Sequence, residues 1–241
     1  MDEQALHKCL ILSKLAYRDK FHYELLGFDH VTFIENEETQ LYIVEDGDSV
    51  YYAFRGTELA EWKDIITDVR ASKKNFRTGH MHRGFYDAFS AVRDELFRIR
   101  RVRDLKHKKT YITGHSLGGA LARILSEYLS DVEAVHTFGE PRSGCKVLAA
   151  AYRHHDVHYR WVIHNDIVAR LPLVSMHFAD VGKIMYVNRN NEICPESTRL
   201  LRNWEFMRGG IGSKLKDHYM DTYLHTLGPL FIRNKDKLKD L

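Results

Sequence analysis

Thr110-Tyr111-Ile112-Thr113-Gly114-His115-Ser116-Leu117-Gly118-Gly119-Ala120 is the stretch on which the reading of this chain turns. A β-branched and aromatic run enters a Gly-His-Ser-Leu-Gly pattern, and Ala120, Leu121, Ile124 and Leu125 follow at the spacing of a helix with one buried face. The segment therefore reads as a strand, a sharp turn and a helix, with Ser116 at the apex of the turn. Gly114 and Gly118 lack side chains that would collide where strand and helix nearly touch, so the serine hydroxyl is expected to stand exposed above the carboxyl edge of a parallel sheet, as in a nucleophile elbow.

The rest of the chain supplies such a sheet. Residues 2 to 17 read as an amphipathic helix carrying Leu6, Leu10 and Leu15, and strand-like runs follow at Val31 to Ile34, Leu41 to Val44 and Val50 to Phe54. A helix from Phe85 places Phe89, Val92, Leu96 and Ile99 on one stripe. Beyond the elbow come a strand at Val132 to Phe138, a helix after Pro141, a strand at Tyr159 to Ile163, another near Lys183 to Val187, and helical stretches from about Lys214. This alternation predicts an α/β fold, a mostly parallel central sheet with helices on both faces, led in by antiparallel strands. No composition shift marks a boundary, so residues 1–241 are expected to form one domain.

Of 241 residues, 44% are hydrophobic and 29% charged, enough for a substantial core, and no apolar run approaches the ~20 residues of a membrane span. The start Met1-Asp2-Glu3-Gln4 is acidic where a secretory signal is basic, which predicts a protein that is cytoplasmic as synthesised. Cys9, Cys145 and Cys194 show neither metal-ligand rhythm nor a disulfide framework and are expected to be reduced thiols. A net charge of +3 is too weak to argue for nucleic acid. The cluster Arg98, Arg100, Arg101, Arg103, Lys106, Lys108 and Lys109 falls at the amino end of the elbow strand, and a solvated turn is its favoured reading over an anionic membrane or partner surface.

A serine hydroxyl needs a neutral imidazole beside it, itself oriented by a carboxylate, and in this type of fold the order along the chain is Ser, acid, His. Asp166 is the strongest acid, because it follows the apolar strand Trp161-Val162-Ile163 and so reaches the rim that carries Ser116; Asp156 falls on the opposite edge and Asp180 is a weaker rival. His177, His218 and His225 all satisfy the chain order, and position alone does not choose among them. His115 is expected to diverge from Ser116 and serve packing or hydrogen bonding. For the oxyanion, the backbone N–H of Leu117 is one donor, and the loop after Tyr51-Tyr52-Ala53-Phe54 offers Thr57 as the second. A tight turn with a capping Thr57 fits the same residues.

In order, Phe54-Arg55-Gly56-Thr57, His82-Arg83-Gly84-Phe85, Gly114 to Gly119, Thr137-Phe138-Gly139-Glu140-Pro141-Arg142, Asp166-Ile167-Val168-Ala169-Arg170-Leu171-Pro172, and His218 with Tyr223 and Leu224 resemble the class 3 lipases of the α/β-hydrolase superfamily. The resemblance covers about residues 50 to 225. It implies Ser116 as nucleophile, Asp166 as orienting acid, His218 as base, and Thr57 with Leu117 as oxyanion hole, and it selects His218 over His225. It further implies a lid over Glu58 to Val69 presenting Trp62, Ile65 and Ile66 to an acyl chain or lipid surface, although these side chains equally suit a core. Cys145 stands where the family often has asparagine, and Ala169 where proline is frequent. The expected activity is hydrolysis of acylglycerol or related lipid esters, with transient contact at a lipid interface and no metal or cofactor. Phospholipase or acyltransferase chemistry on the same residues is the alternative, and a non-catalytic binding protein of this fold is the rival from another class.

Overall fold

The structure, a computed structural model, describes residues 1–18, 26–57, 72–195 and 211–233. Helix α1 (Glu3–Leu15) is capped by the Asp2 carboxylate, which accepts from the amides of Gln4 and Ala5, and it buries Leu6, Cys9, Leu10 and Leu12. The antiparallel meander β1 (His30–Asn36), β2 (Thr39–Asp46) and β3 (Ser49–Phe54) follows, turning at Glu37 and Gly47, both with positive φ. Then come β4 (Lys73–Phe76), β5 (Gly79–His82) and α2 (Arg83–Val102), whose Phe85, Phe89, Val92, Leu96 and Ile99 are all buried, as their spacing predicts.

The elbow consists of β6 (Lys109–His115) and α3 (Leu117–Ser126). Beyond it lie β7 (Val132–Phe138), β8 (Gly144–Cys145), α4 (Lys146–Ala150), β9 (His158–Ile163), β10 (Phe178–Ala179), β11 (Lys183–Val187) and β12 (Ile193–Cys194). The described chain closes with α5 (Ile211–Lys216) and α6 (Met220–Arg233).

Eight strands form the central sheet in the order β1-β2-β3-β6-β7-β9-β11-β12, parallel from β3 to β11 and antiparallel at both ends. Alternation along each strand sends side chains to opposite faces. On β3, Val50, Tyr52 and Phe54 join the core beneath α2 and α3, while Tyr51 and Ala53 join the core beneath α1 and α6. This is the expected α/β-hydrolase architecture, with helices on both faces.

Three features depart from the sequence reading. A second sheet, β10-β8-β5-β4, is wholly antiparallel and built from strands of two to four residues, too short to carry a period. The helix expected after Pro141 is preceded by β8 and spans only Lys146–Ala150. The basic segment before β6 is more engaged than a solvated turn. Arg100 is buried, bonding the Tyr52 hydroxyl and pairing with Asp131, Arg103 binds Glu45, and Lys108 donates to the Gly47 carbonyl. Cys9, Cys145 and Cys194 all stand outside any disulfide.

Candidate active site

The parallel register brings four loops to one rim. Phe54 lies opposite Gly114, His115 opposite Phe138, and Phe138 opposite Trp161, so the ends of β3, β6, β7 and β9 are level. Ser116 leaves β6 with φ 61° and ψ −127°, a conformation that costs a non-glycine residue of order 1–3 kcal/mol. The close contact predicted at the elbow is present. A Cβ on Gly114 would stand 2.3 Å from the carbonyl of Gly118, and one on Gly118 2.3 Å from the Phe54 oxygen. In one respect the elbow differs from expectation: Ser116 is fully buried rather than exposed.

What it meets is His218, which lies between α5 and α6. Its Nε2 is 2.8 Å from Ser116 Oγ, and its Nδ1 is 2.9 Å from both carboxylate oxygens of Asp166. An ionised carboxylate only accepts, so Nδ1 donates and Nε2 is left as acceptor for the serine proton. That arrangement can draw the proton from Oγ while the carboxylate steadies the resulting imidazolium. Asp166 is buried and also accepts from the Tyr223 hydroxyl at 2.6 Å, the Val168 amide at 2.8 Å and the Ala169 amide at 3.4 Å. The last bond gives the substitution at 169 a meaning, because a proline there has no N–H to donate. Burial, then the Asp166 charge, pushes the Tyr223 phenol well above its ordinary range, so it stays a neutral donor.

His115 turns away from the serine, as expected, and takes up a specific duty. Its Nε2 lies 2.7 Å from the His218 carbonyl and therefore carries the proton, while Nδ1, 2.8 Å from the Tyr17 hydroxyl, accepts. The two imidazoles stack at 4.7 Å. Burial, followed by the nearby His218, lowers the His115 pKa well below its ordinary value, which keeps the ring neutral.

Two positioning residues escaped the sequence reading. Asp217 Oδ2 accepts from the Asn165 amide at 3.1 Å, tying the residue before His218 to the residue before Asp166. Gly139 has φ 61°, and a Cβ on it would sit 2.6 Å from Asp166 Oδ2 and 3.0 Å from His218 Nδ1. Its place within Thr137 to Arg142, at the end of a strand, was the available signal.

Leu117 opens α3, where the first amides lack partners within the helix. Thr57 lines a cleft together with His115 and His218, and a Cβ on the neighbouring Gly56 would stand 3.2 Å from Ser116 Cβ. Trp62, Ile65 and Ile66, with the whole segment Glu58 to Val69, lie outside the described residues. The rival residues fall elsewhere. Asp180 pairs with Arg142 and Arg160, Asp156 is exposed before β9, and His177 and His225 are exposed. Among the described residues no group of three or more His, Cys, Asp or Glu could hold a metal ion, and no helix is long and apolar enough to cross a membrane.

The family model described as "Lipase (class 3)" matches residues 51–176. The chain is 35% identical over 134 residues to "Toxin TseL" of Vibrio cholerae, covering 51% of this chain and 20% of that protein. It is 28% identical over 173 residues to "Lipase" of Rhizomucor miehei, covering 66% and 47%. It thus spans about half or less of the length of these relatives. Lipase II from Rhizopus niveus superposes with a TM-score of 0.72 at 22% identity, over 91% of this chain and 94% of the other. The elbow, the parallel rim and the match across more than half of the sequence lead to one assignment: this chain belongs to the class 3 lipase family, on the α/β-hydrolase fold.

Proposed function

We propose that the protein is a serine carboxylic-ester hydrolase acting on acylglycerols or related lipid esters through an acyl-enzyme. The observation that carries this reading is the unbroken relay Asp166–His218–Ser116, with contacts of 2.9 and 2.8 Å, mounted on a strained elbow. Ser116 Oγ attacks the ester carbonyl as its proton passes to His218 Nε2, and the amides of Leu117 and Thr57 hold the oxyanion. His218 then protonates the departing alcohol and takes a proton from the water that releases the acid. The names of the relatives, lipase and triacylglycerol lipase among them, support lipid esters as the substrate class. Such substrates gather at interfaces, so the partner in this reading is a lipid surface touched transiently.

Two measurements on Ser116→Ala test the proposal. Labelling by an active-site fluorophosphonate and hydrolysis of short-chain esters should both vanish, while the far-UV circular dichroism is unchanged. Persistent labelling sinks the assignment.

A further inference from the structure

Just past β9, the residues 164 to 166 meet the residues 217 and 218 between α5 and α6. Asp166 holds His218, and one step back along the second segment Asp217 faces both neighbours of that aspartate. Its Oδ2 accepts from the Asn165 amide at 3.1 Å, and its Oδ1 stands 3.7 Å from His164 Nδ1. His164 is a fixed post. Its φ of 45° lies in the left-handed region, which a non-glycine residue keeps only where its surroundings hold it. Here β11 does so: the His164 amide donates to the Val187 carbonyl at 2.8 Å, and the His164 carbonyl accepts from the Tyr186 hydroxyl at 3.0 Å. The second ring nitrogen, Nε2, is 3.1 Å from Asn191 Oδ1. Both nitrogens thus face oxygens that only accept, and a neutral imidazole carries one N–H where the imidazolium carries two. His115, whose nitrogens face a carbonyl and a hydroxyl able to donate, is satisfied as the neutral ring.

We propose that His164 and Asp217 are positioning residues for the reaction of Ser116, forming a clamp that is closed only while His164 is protonated. What the clamp positions rests on the ester-hydrolase reading above; the dependence on pH goes beyond it. Closed, it ties the backbone beside His218 to the backbone beside Asp166 and so keeps their 2.9 Å contact in register. The charges around the ring agree with this. Burial pushes the His164 pKa down, but the bonds to Asp217 and Asn191 and the Asp217 charge outweigh burial and the opposing Arg189, from the turn between β11 and β12, and leave it raised. As pH rises through that folded value the ring gives up one N–H, the ion pair is lost and the tie weakens. The relay imposes the opposite requirement, a His218 without its extra proton, so turnover climbs on leaving acid and declines again on the alkaline side.

The test is the pH profile of kcat and KM for p-nitrophenyl butyrate, from about pH 5 to 9, with reactive serine counted by fluorophosphonate titration. Wild type is compared with His164→Gln, with Asp217→Asn, which keeps an oxygen for the Asn165 amide but loses the charge, and with the two combined. In the wild type kcat is expected to decline about fivefold on the alkaline side with KM unchanged, the scale set by a partly exposed ion pair. Each single variant is expected to sit at the wild type's alkaline level throughout and to show the acid limb only, and the combined variant to fall no lower than either. The midpoint of the wild-type limb should coincide with the titration of the His164 ring followed by NMR, a comparison that needs no variant. Midpoints more than about one pH unit apart, a wild-type profile level above neutral pH, or an alkaline limb of full depth in His164→Gln overturns the clamp. A wild-type protein that cleaves the ester at no pH and takes no fluorophosphonate strikes at the hydrolase reading instead, so the two failures are distinguishable.

Discussion

Among the described residues two pairs of carboxylate and imidazole are almost wholly buried, and their surroundings differ. At the rim, Asp166 faces His218 at 2.9 Å; behind it, Glu140 faces His158 at 3.0 Å, with both of those side chains almost wholly buried. The difference lies in what else each pair touches. Glu140 has the Arg160 guanidinium 3.4 Å away and accepts from the Thr137 hydroxyl, and His158 Nδ1 meets the Tyr152 hydroxyl. Burial alone pushes the Glu140 carboxyl up, but His158 and Arg160 more than reverse this and hold it below the usual range. Burial likewise lowers His158, and the attraction of Glu140 does not fully restore it, so the ring is a neutral wedge. Besides its histidine, Asp166 accepts from a phenol and two amides, and the second nitrogen of His218 looks onto a serine. An acid and a histidine in contact become a proton relay only where the far nitrogen faces a nucleophile.

The largest expected effect on this contrast comes from Asp166→Asn. It should lower kcat about 10⁴-fold by placing the wrong tautomer beside Ser116, and nearly full turnover in that variant would remove the aspartate from the relay. Glu140→Gln should invert the pattern. Taking one partner from a buried ionic cluster is expected to cost about 3–5 kcal/mol in urea unfolding, while kcat per folded molecule changes by less than about tenfold. If stability holds and kcat collapses instead, the two pairs are not distinct.

The smallest effect is a pH slope. His115, His136 and His158 have folded pKa values below the ordinary 6.5, burial being the leading cause in each, with His136 lowered to about 3. Below pH 6.5 the unfolded chain therefore binds protons that the folded chain refuses, so stability present at neutral pH is lost on acidification. Each ring contributes up to about 1.4 kcal/mol per pH unit. Asp180, where the neighbouring Arg160 and Arg142 outweigh burial to give about 2, adds a loss of the same sign between pH 3.8 and 2. His164 is raised, because its bonds to Asp217 and Asn191 outweigh burial, and it acts oppositely, lending stability at low pH that fades as pH rises through its folded value. Unfolding free energies measured from pH 7.5 to 5 should fall, and His136→Phe should flatten the slope. A flat profile in the unmodified protein contradicts the neutral-wedge account.

Where a pattern repeats over several residues, the sequence was readable. β7 begins and ends at Val132 and Phe138, as its apolar run indicates, and the stripe from Phe85 to Ile99 buries as spaced. Ser116 was legible because glycines mark the only conformation that fits the turn, and Asp166 because it follows a strand whose direction is known. His218 was not distinguishable from His177 and His225 by pattern, since its place depends on a contact between α5, α6 and the rim that joins residues 52 apart. Family likeness selected it. The Tyr17 to His115 contact joins residues 98 apart, and the brace from Asp217 to Asn165 joins residues 52 apart, so neither leaves a local signature. The strands Gly144–Cys145 and Phe178–Ala179 are two residues each, below the length at which any period exists.

Ser116 and the His218 it meets are separated by 102 residues, and the histidine comes second. Synthesis proceeds from the amino end, and the elbow is a local structure of strand and helix, whereas the imidazole arrives only with the last two described helices. A chain still emerging from the ribosome consequently holds a hydroxyl with nothing to activate it. The order of the chain thus leaves the Ser116 hydroxyl without its imidazole until the helices on either side of His218 have docked.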